Sequence, residues 1–124
     1  MDAEKMNKIL IAEDDASISR LIAYKFEKED YEIKVIEAGD KVLAEIKSDS
    51  YDALVLDLML PVLDGMQVLK RIRKAEIKLP ILVLSAKSQE EDILKALSAG
   101  ADEYLTKPFR PDELLLRVKK MLGD

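Results

Sequence analysis

Short apolar runs alternate along the chain with longer stretches in which apolar side chains recur at helical spacing. The runs are Ile9-Leu10-Ile11, Ile33 to Ile36, Ala53 to Leu56, Ile81 to Leu84 and the segment around Tyr104-Leu105, each bounded by charged or turn-forming residues. They predict five strands, three of them apolar on both faces. Between them, Ile18, Leu21, Ile22 and Phe26 fall at i, i+3, i+4 and i+8, and Val42, Leu43 and Ile46 make a shorter stripe. Val68, Leu69 and Ile72 form a third stripe, Ile93, Leu94 and Leu97 a fourth, and Leu114, Leu115, Val118, Met121 and Leu122 a fifth. Strands apolar on both faces, alternating with amphipathic helices, predict an α/β fold with a doubly wound, five-stranded parallel sheet and right-handed crossovers. Such a sheet places its functional crevice beyond the carboxyl ends of the strands.

Those strand ends carry polar residues. Ala12 is followed by Glu13-Asp14-Asp15, the third strand runs directly into Asp57, Leu84 into Ser85-Ala86, and the fifth strand into Thr106-Lys107-Pro108. Asp15 reads best as a cap for the first helix, because a carboxylate there accepts backbone N–H groups. Alone, Ser85 reads as a turn hydroxyl and Lys107 as a solvated cation; together at neighbouring strand ends they point to a site. Asp57 stands between four apolar residues and Leu58-Met59-Leu60, where a charge is costly unless exposed or paired. Carboxylates at strand ends one and three would repel, raising the pKa of at least one. A hard divalent cation such as Mg2+ resolves that repulsion with oxygen ligands. With Mg2+ and Lys107 neutralising charge, Asp57 becomes a candidate phosphoryl acceptor, since in-line transfer needs positioning and charge neutralisation above all.

Composition narrows the chemistry. The 124 residues are 48% hydrophobic and 36% charged, which suits one domain over residues 1–124 with its core at about 7–122. With no Cys and no His, a thiol nucleophile, a Ser-His-Asp triad and a His/Cys zinc site are all impossible within the chain. The absence of Cys, of a signal segment and of a spanning apolar run predicts a cytoplasmic setting. The net charge of −5 argues against direct nucleic-acid contact and against adhesion to an anionic membrane.

Four ordered segments resemble the receiver (CheY-like) domain of bacterial two-component response regulators, over essentially the whole chain. They are Ile9 to Asp15 (ILIAEDD), Asp57 to Gly65 (DLMLPVLDG), Leu84-Ser85-Ala86, and Gly100 to Phe109 (GADEYLTKPF). The resemblance implies a (βα)5 flavodoxin-like sheet in the order 2-1-3-4-5. It also implies that Asp57 accepts a phosphoryl group from a histidine of a partner sensor kinase or phosphotransfer protein. By the same resemblance, Mg2+ is held by Asp14, by Glu13 through water, by Asp57 and by the Met59 backbone carbonyl. Lys107 pairs with the phosphoryl oxygens and Ser85 hydrogen-bonds one of them. The Lys107-Pro108 bond is implied to be cis, and Pro61 and Gly65 to shape the loop after Asp57.

The resemblance further implies a switch: Ser85 moves toward the phosphoryl group, Tyr104 turns inward, and the face of the fourth helix, fifth strand and fifth helix is remodelled for a downstream output domain or protein. Without the motif, Tyr104 reads as a half-buried aromatic. Glu13 stands where Asp is frequent and Ser85 where Thr is frequent, substitutions that keep the chemistry. Regulators with a winged-helix output domain often dimerise through charged pairs on this face. Here Glu103 and Arg117 supply one pair, whereas Ile93 and Asp124 occupy usually basic positions and count against dimerisation of that type. Leu116 is predicted to point away from the fifth-helix core stripe, toward solvent or a partner. The expected activity is self-catalysed phosphoryl acceptance and loss, with no turnover of a separate substrate.

Other readings are weaker. A haloacid-dehalogenase-like phosphatase needs a second Asp where Met59 stands, and a flavodoxin-like FMN carrier needs a glycine-rich phosphate loop where Glu13-Asp14-Asp15 would repel phosphate. A receiver used only as an unphosphorylated binding module is the remaining alternative. Because the sequence stops at Asp124, just past the fifth helix, no output domain is expected within it; it is a stand-alone regulator or the receiver portion of a longer protein.

Overall fold

A computed structural model describes residues 6–123; Asp124 lies outside the described residues. Five strands, β1 (Lys8–Ala12), β2 (Glu32–Ile36), β3 (Ala53–Leu56), β4 (Ile81–Ser85) and β5 (Glu103–Thr106), form one parallel sheet in the order β2-β1-β3-β4-β5. They alternate with α1 (Ala16–Glu27), α2 (Val42–Ser48), α3 (Gly65–Lys74), α4 (Glu90–Ser98) and α5 (Pro111–Met121). This is the doubly wound parallel sheet that the alternating pattern predicted, in the flavodoxin-like strand order that the resemblance implied.

The period-two geometry of a strand sends successive side chains to opposite faces, and each face has its own apolar layer. Leu10, Leu54, Leu56, Ile81 and Val83 pack with Val42 of α2 and with Val68, Leu69 and Ile72 of α3. Ile9, Ile11, Val55, Leu82 and Leu84 pack on the other side with Ile22 and Phe26 of α1 and with Leu114, Leu115 and Val118 of α5. Local caps set the helix starts. The Asp15 carboxylate accepts the N–H groups of Ser17 (2.9 Å) and Ile18 (3.4 Å), Asp64 accepts that of Gln67 (3.0 Å), and Pro111 opens α5.

Two predicted stripes differ from the buried faces. On α1, Leu21 is exposed, because Ile22 and Phe26 already fill the layer beside α5. On α4, Leu94 and Leu97 are 54% and 40% exposed, and the one fully buried residue is Ala96. The apolar face of α4 is turned largely to the surface, so its helical spacing predicted the helix correctly and its packing incorrectly. Leu116 is exposed, as its position opposite the α5 stripe predicted.

Candidate functional site

Strand register assembles the site. Ala12 of β1 pairs with Leu56 of β3, so Glu13 and Asp57, each one residue further on, emerge side by side, and the Asp57 N–H donates to the Ala12 carbonyl at 3.0 Å. On the other flank Ser85 pairs with Thr106, which brings Lys107 next to the end of β4; the Lys107 N–H donates to the Ser85 carbonyl at 2.8 Å. The Lys107-Pro108 peptide bond is cis, as the resemblance implied.

Oxygen atoms of Glu13, Asp14 and Asp57 lie within 4.8 Å of one another. Glu13 and Asp57 are buried and Asp14 is exposed at the rim. The Lys107 ammonium donates to Glu13 Oε1 at 2.8 Å and to Asp57 Oδ2 at 3.1 Å, which supplies the pairing that a charge at position 57 requires. Other lone pairs are taken by backbone: Glu13 Oε2 accepts the Asp15 N–H (3.0 Å), and Asp57 Oδ1 accepts the Met59 N–H (3.0 Å). One ammonium thus serves two buried carboxylates, with a third carboxylate, that of Asp14, at the rim. Burial pushes the Glu13 carboxyl above its ordinary range in spite of Lys107. Burial alone would pull the Lys107 ammonium down, but its bonds to the two carboxylates outweigh that and hold it above the usual lysine range. The donor set is hard oxygen throughout and anionic in excess, which fits a divalent cation.

The loop after Asp57 contains the positions expected to shape it. A Cβ on Gly65 would stand 2.3 Å from the Asp57 carbonyl oxygen and 2.6 Å from Leu58 Cα, so only glycine permits this approach. Pro61 precedes a γ-turn in which the Leu63 N–H donates back to the Pro61 carbonyl at 2.8 Å. Its central residue, Val62, has φ 72°, a conformation that costs a non-glycine residue on the order of 1–3 kcal/mol. Met59 is 59% exposed beside a groove of about 600 Å³ lined by Asp14, Met59, Pro61, Asp64 and Lys87.

On the far side of the cluster, Ser85 Oγ accepts the Lys87 N–H at 3.1 Å, and the Tyr104 hydroxyl donates to the Lys87 carbonyl at 2.7 Å. Lys87 therefore links the two switch candidates through its backbone. Partial burial raises the Tyr104 phenol above its usual value. Arg117 pairs with Glu103 at 2.8 Å and also with Glu113 at 2.9 Å, so the charged pair expected on this face forms within the chain.

Sequence reasoning missed three participants: Lys87, whose role lies in its backbone; Val62, whose strain no side-chain pattern shows; and Gly39, which packs against the Pro61 to Leu63 turn from across the surface. A glycine in the short connection between β2 and the second helical stripe was the one available signal.

A parallel five-stranded sheet with an acidic cluster, a lysine and a hydroxyl at its carboxyl rim has the architecture of a signalling receiver rather than of a nucleotide carrier. The chain belongs to the response regulator receiver domain family, whose profile matches residues 9–119. Among relatives, it is 42% identical over 115 residues to the alkaline phosphatase synthesis transcriptional regulatory protein PhoP of Bacillus subtilis (strain 168), covering 93% of this chain and 48% of that protein. It is 41% identical over 122 residues to the transcriptional regulatory protein ResD of the same organism, covering 98% and 50%. The chain spans about half the length of these curated relatives. Among solved structures, the receiver domain of the Francisella response regulator 1452 superposes with a TM-score of 0.91 at 40% identity, covering 94% of this chain and 97% of that one. The BeF3-activated DrrB receiver domain gives 0.87 at 32%, covering 97% and 100%. The protein is a receiver domain of two-component response regulators. Among the described residues, no helix is long and apolar enough to cross a membrane.

Proposed function

We propose that this receiver is a phosphorylation-controlled switch: Asp57 accepts a phosphoryl group from a phosphohistidine of a partner kinase or phosphotransfer protein, in a reaction that needs Mg2+. The carrying observation is the buried Asp57 carboxylate, held between Lys107 and the Glu13-Asp14 pair and level with the end of β1. An Asp57 carboxylate oxygen forms the new O–P bond as the P–N bond of the donor breaks and the electron pair leaves with the imidazole nitrogen. The chain has no His, so the donor comes from a partner.

Glu13, Asp14, Asp57 and the Met59 carbonyl are the residues that would hold Mg2+, which supplies charge neutralisation for the phosphoryl oxygens when bound. Lys107 orients Asp57 and is placed to follow the new negative charge, while Ser85, buried at the end of β4, offers its hydroxyl to a phosphoryl oxygen. Hydrolysis of the aspartyl phosphate by water restores the carboxylate, so the domain catalyses its own acceptance and loss and turns over no other substrate.

The Ser85–Lys87–Tyr104 link supports output through the α4-β5-α5 face, where Leu94, Leu97 and Leu116 are exposed. The relatives are transcriptional regulators by name, so the downstream partner or domain in this reading controls transcription in the cytoplasm, and this acidic domain does not itself touch DNA.

Incubation with Mg2+ and acetyl phosphate, read by intact mass, tests the reading. The wild type is expected to gain one phosphoryl group, and Asp57→Asn or chelator-treated protein none. Gain that persisted in Asp57→Asn would move the acceptor elsewhere. No gain by folded wild type, with acetyl phosphate or with a phosphorylated kinase, would leave an unphosphorylated binding module.

A further inference from the structure

The loop between β3 and α3 carries the Met59 carbonyl and is fastened at two points outside the acidic cluster. At the first, the Gly65 N–H donates to the Leu58 carbonyl at 2.8 Å, and the Leu58 side chain is buried. At the second, the Gly39 N–H, in the turn that leads into α2, donates to the Pro61 carbonyl at 3.1 Å. Gly39 is buried, and a Cβ there would stand 1.7 Å from the Leu63 carbonyl oxygen and 2.8 Å from the Leu63 carbonyl carbon. Those atoms are backbone and cannot swing aside as a side chain can. Val62, between them, keeps its positive φ only while something outside the turn constrains it. Met59 and Leu60 therefore hang between a Gly65 anchor and a Gly39 anchor.

We infer that Gly39 is a positioning residue for the cation site: its contact with Pro61 and Leu63 sets the direction of the Met59 carbonyl and, through it, the affinity for Mg2+. The inference rests on the cation site of the proposed function. A side chain at Gly39 must push the turn outward by roughly 1 Å or more to reach ordinary contact. Mg2+ demands near-ideal octahedral geometry with oxygen at roughly 2.0–2.1 Å, so a carbonyl displaced that far no longer serves as a ligand. Glu13 and the Asp57 backbone are held by sheet pairing and by the Asp57 N–H bond to Ala12, so the change reaches the acids only through the Met59 N–H bond to Asp57 Oδ1. The effect is then the loss of one ligand out of the set, with the carboxylates still in place.

The test titrates Mg2+ alone into wild type and Gly39→Ala by calorimetry, alongside thermal midpoints measured without metal. The dissociation constant of Gly39→Ala is expected to rise about tenfold, the low end for groups that orient a metal ligand. A merely structural role would lower the midpoint and leave that constant unmoved. If Gly39→Ala does not fold, Gly39→Ala combined with Val62→Gly gives the turn a residue that tolerates displacement; the same tenfold weakening is expected in it. Folded protein of either kind that binds Mg2+ as tightly as wild type overturns the inference. Wild type that binds no Mg2+ overturns the cation site itself, and the inference with it.

Discussion

The two rims of the sheet use the same residue types to opposite ends. At the amino rim, the Lys8 N–H donates to Asp52 (2.7 Å) and its ammonium pairs with Asp49, while Asp102 accepts both the Ile81 N–H (2.8 Å) and the Arg73 guanidinium (3.2 Å). Arg73 also donates to the Gly100 carbonyl (3.0 Å) and the Ile77 carbonyl (2.7 Å), tying the α3–β4 loop to the α4–β5 loop. The carboxylates there keep their water: Lys8 serves Asp49 and, at 3.8 Å, Glu32, both exposed, and the hydrogen bond from Lys8 holds the Asp49 carboxyl below its ordinary range while that from Asp49 raises the Lys8 ammonium. At the carboxyl rim one ammonium serves two buried carboxylates, and Glu13 is pushed the other way, upward. Solvated ion pairs hold strands in place, whereas an excess of buried negative charge is a demand for a ligand.

Three substitutions would break or sharpen this contrast. The largest effect is expected for Lys107→Ala, which strands Glu13 and Asp57 without a counter-charge; a loss of about 3 kcal/mol is expected in metal-free denaturation, with a substantial part restored by saturating Mg2+. A loss that Mg2+ leaves unchanged would mean that the two acids are not sharing the lysine with a cation.

Next comes Arg73→Ala at the opposite rim, where three lost hydrogen bonds should remove about 2 kcal/mol. Here Mg2+ should restore nothing, and urea midpoints with and without the metal would shift by the same amount from their wild-type values.

Smallest is Glu13→Gln, expected to stabilise the metal-free protein by about 1 kcal/mol at neutral pH, or about 4 °C in Tm. The folded pKa of Glu13 lies above its ordinary 4.5, so its ionised form is the disfavoured one in the folded state. The advantage of Gln is therefore full above the folded pKa and fades as pH falls through 4.5, below which Glu13 is protonated in both states. A pH series of melting curves reads the effect; an advantage that grew on acidification would reverse the assigned sign.

The sheet was legible because strands apolar on both faces can only be central strands of a covered sheet, and β1, β3 and β4 are buried along almost their whole length. The acidic cluster was legible for a related reason: Asp57 interrupts an apolar run at a strand end, and strand ends converge. What stayed hidden depends on backbone geometry. The Lys87 peptide links Ser85 to Tyr104 without using its side chain, and the Gly39 contact joins segments separated by a strand and a helix. The exposure of Leu94 and Leu97 was also hidden, because helical spacing shows which side chains share a face and not whether anything covers it.

That uncovered face has a mechanical meaning. α3 is held to the sheet by Val68, Leu69 and Ile72, all buried, whereas α4 buries fully only the methyl group of Ala96, with Ile93 half-buried. At about 0.8 kcal/mol for each buried CH2, the difference between these two moorings is several kcal/mol. The sheet and α3 thus form a stiff chassis on which α4 rides more loosely, and in the switch proposed above α4 is the element that a small tug from the Ser85 end would displace.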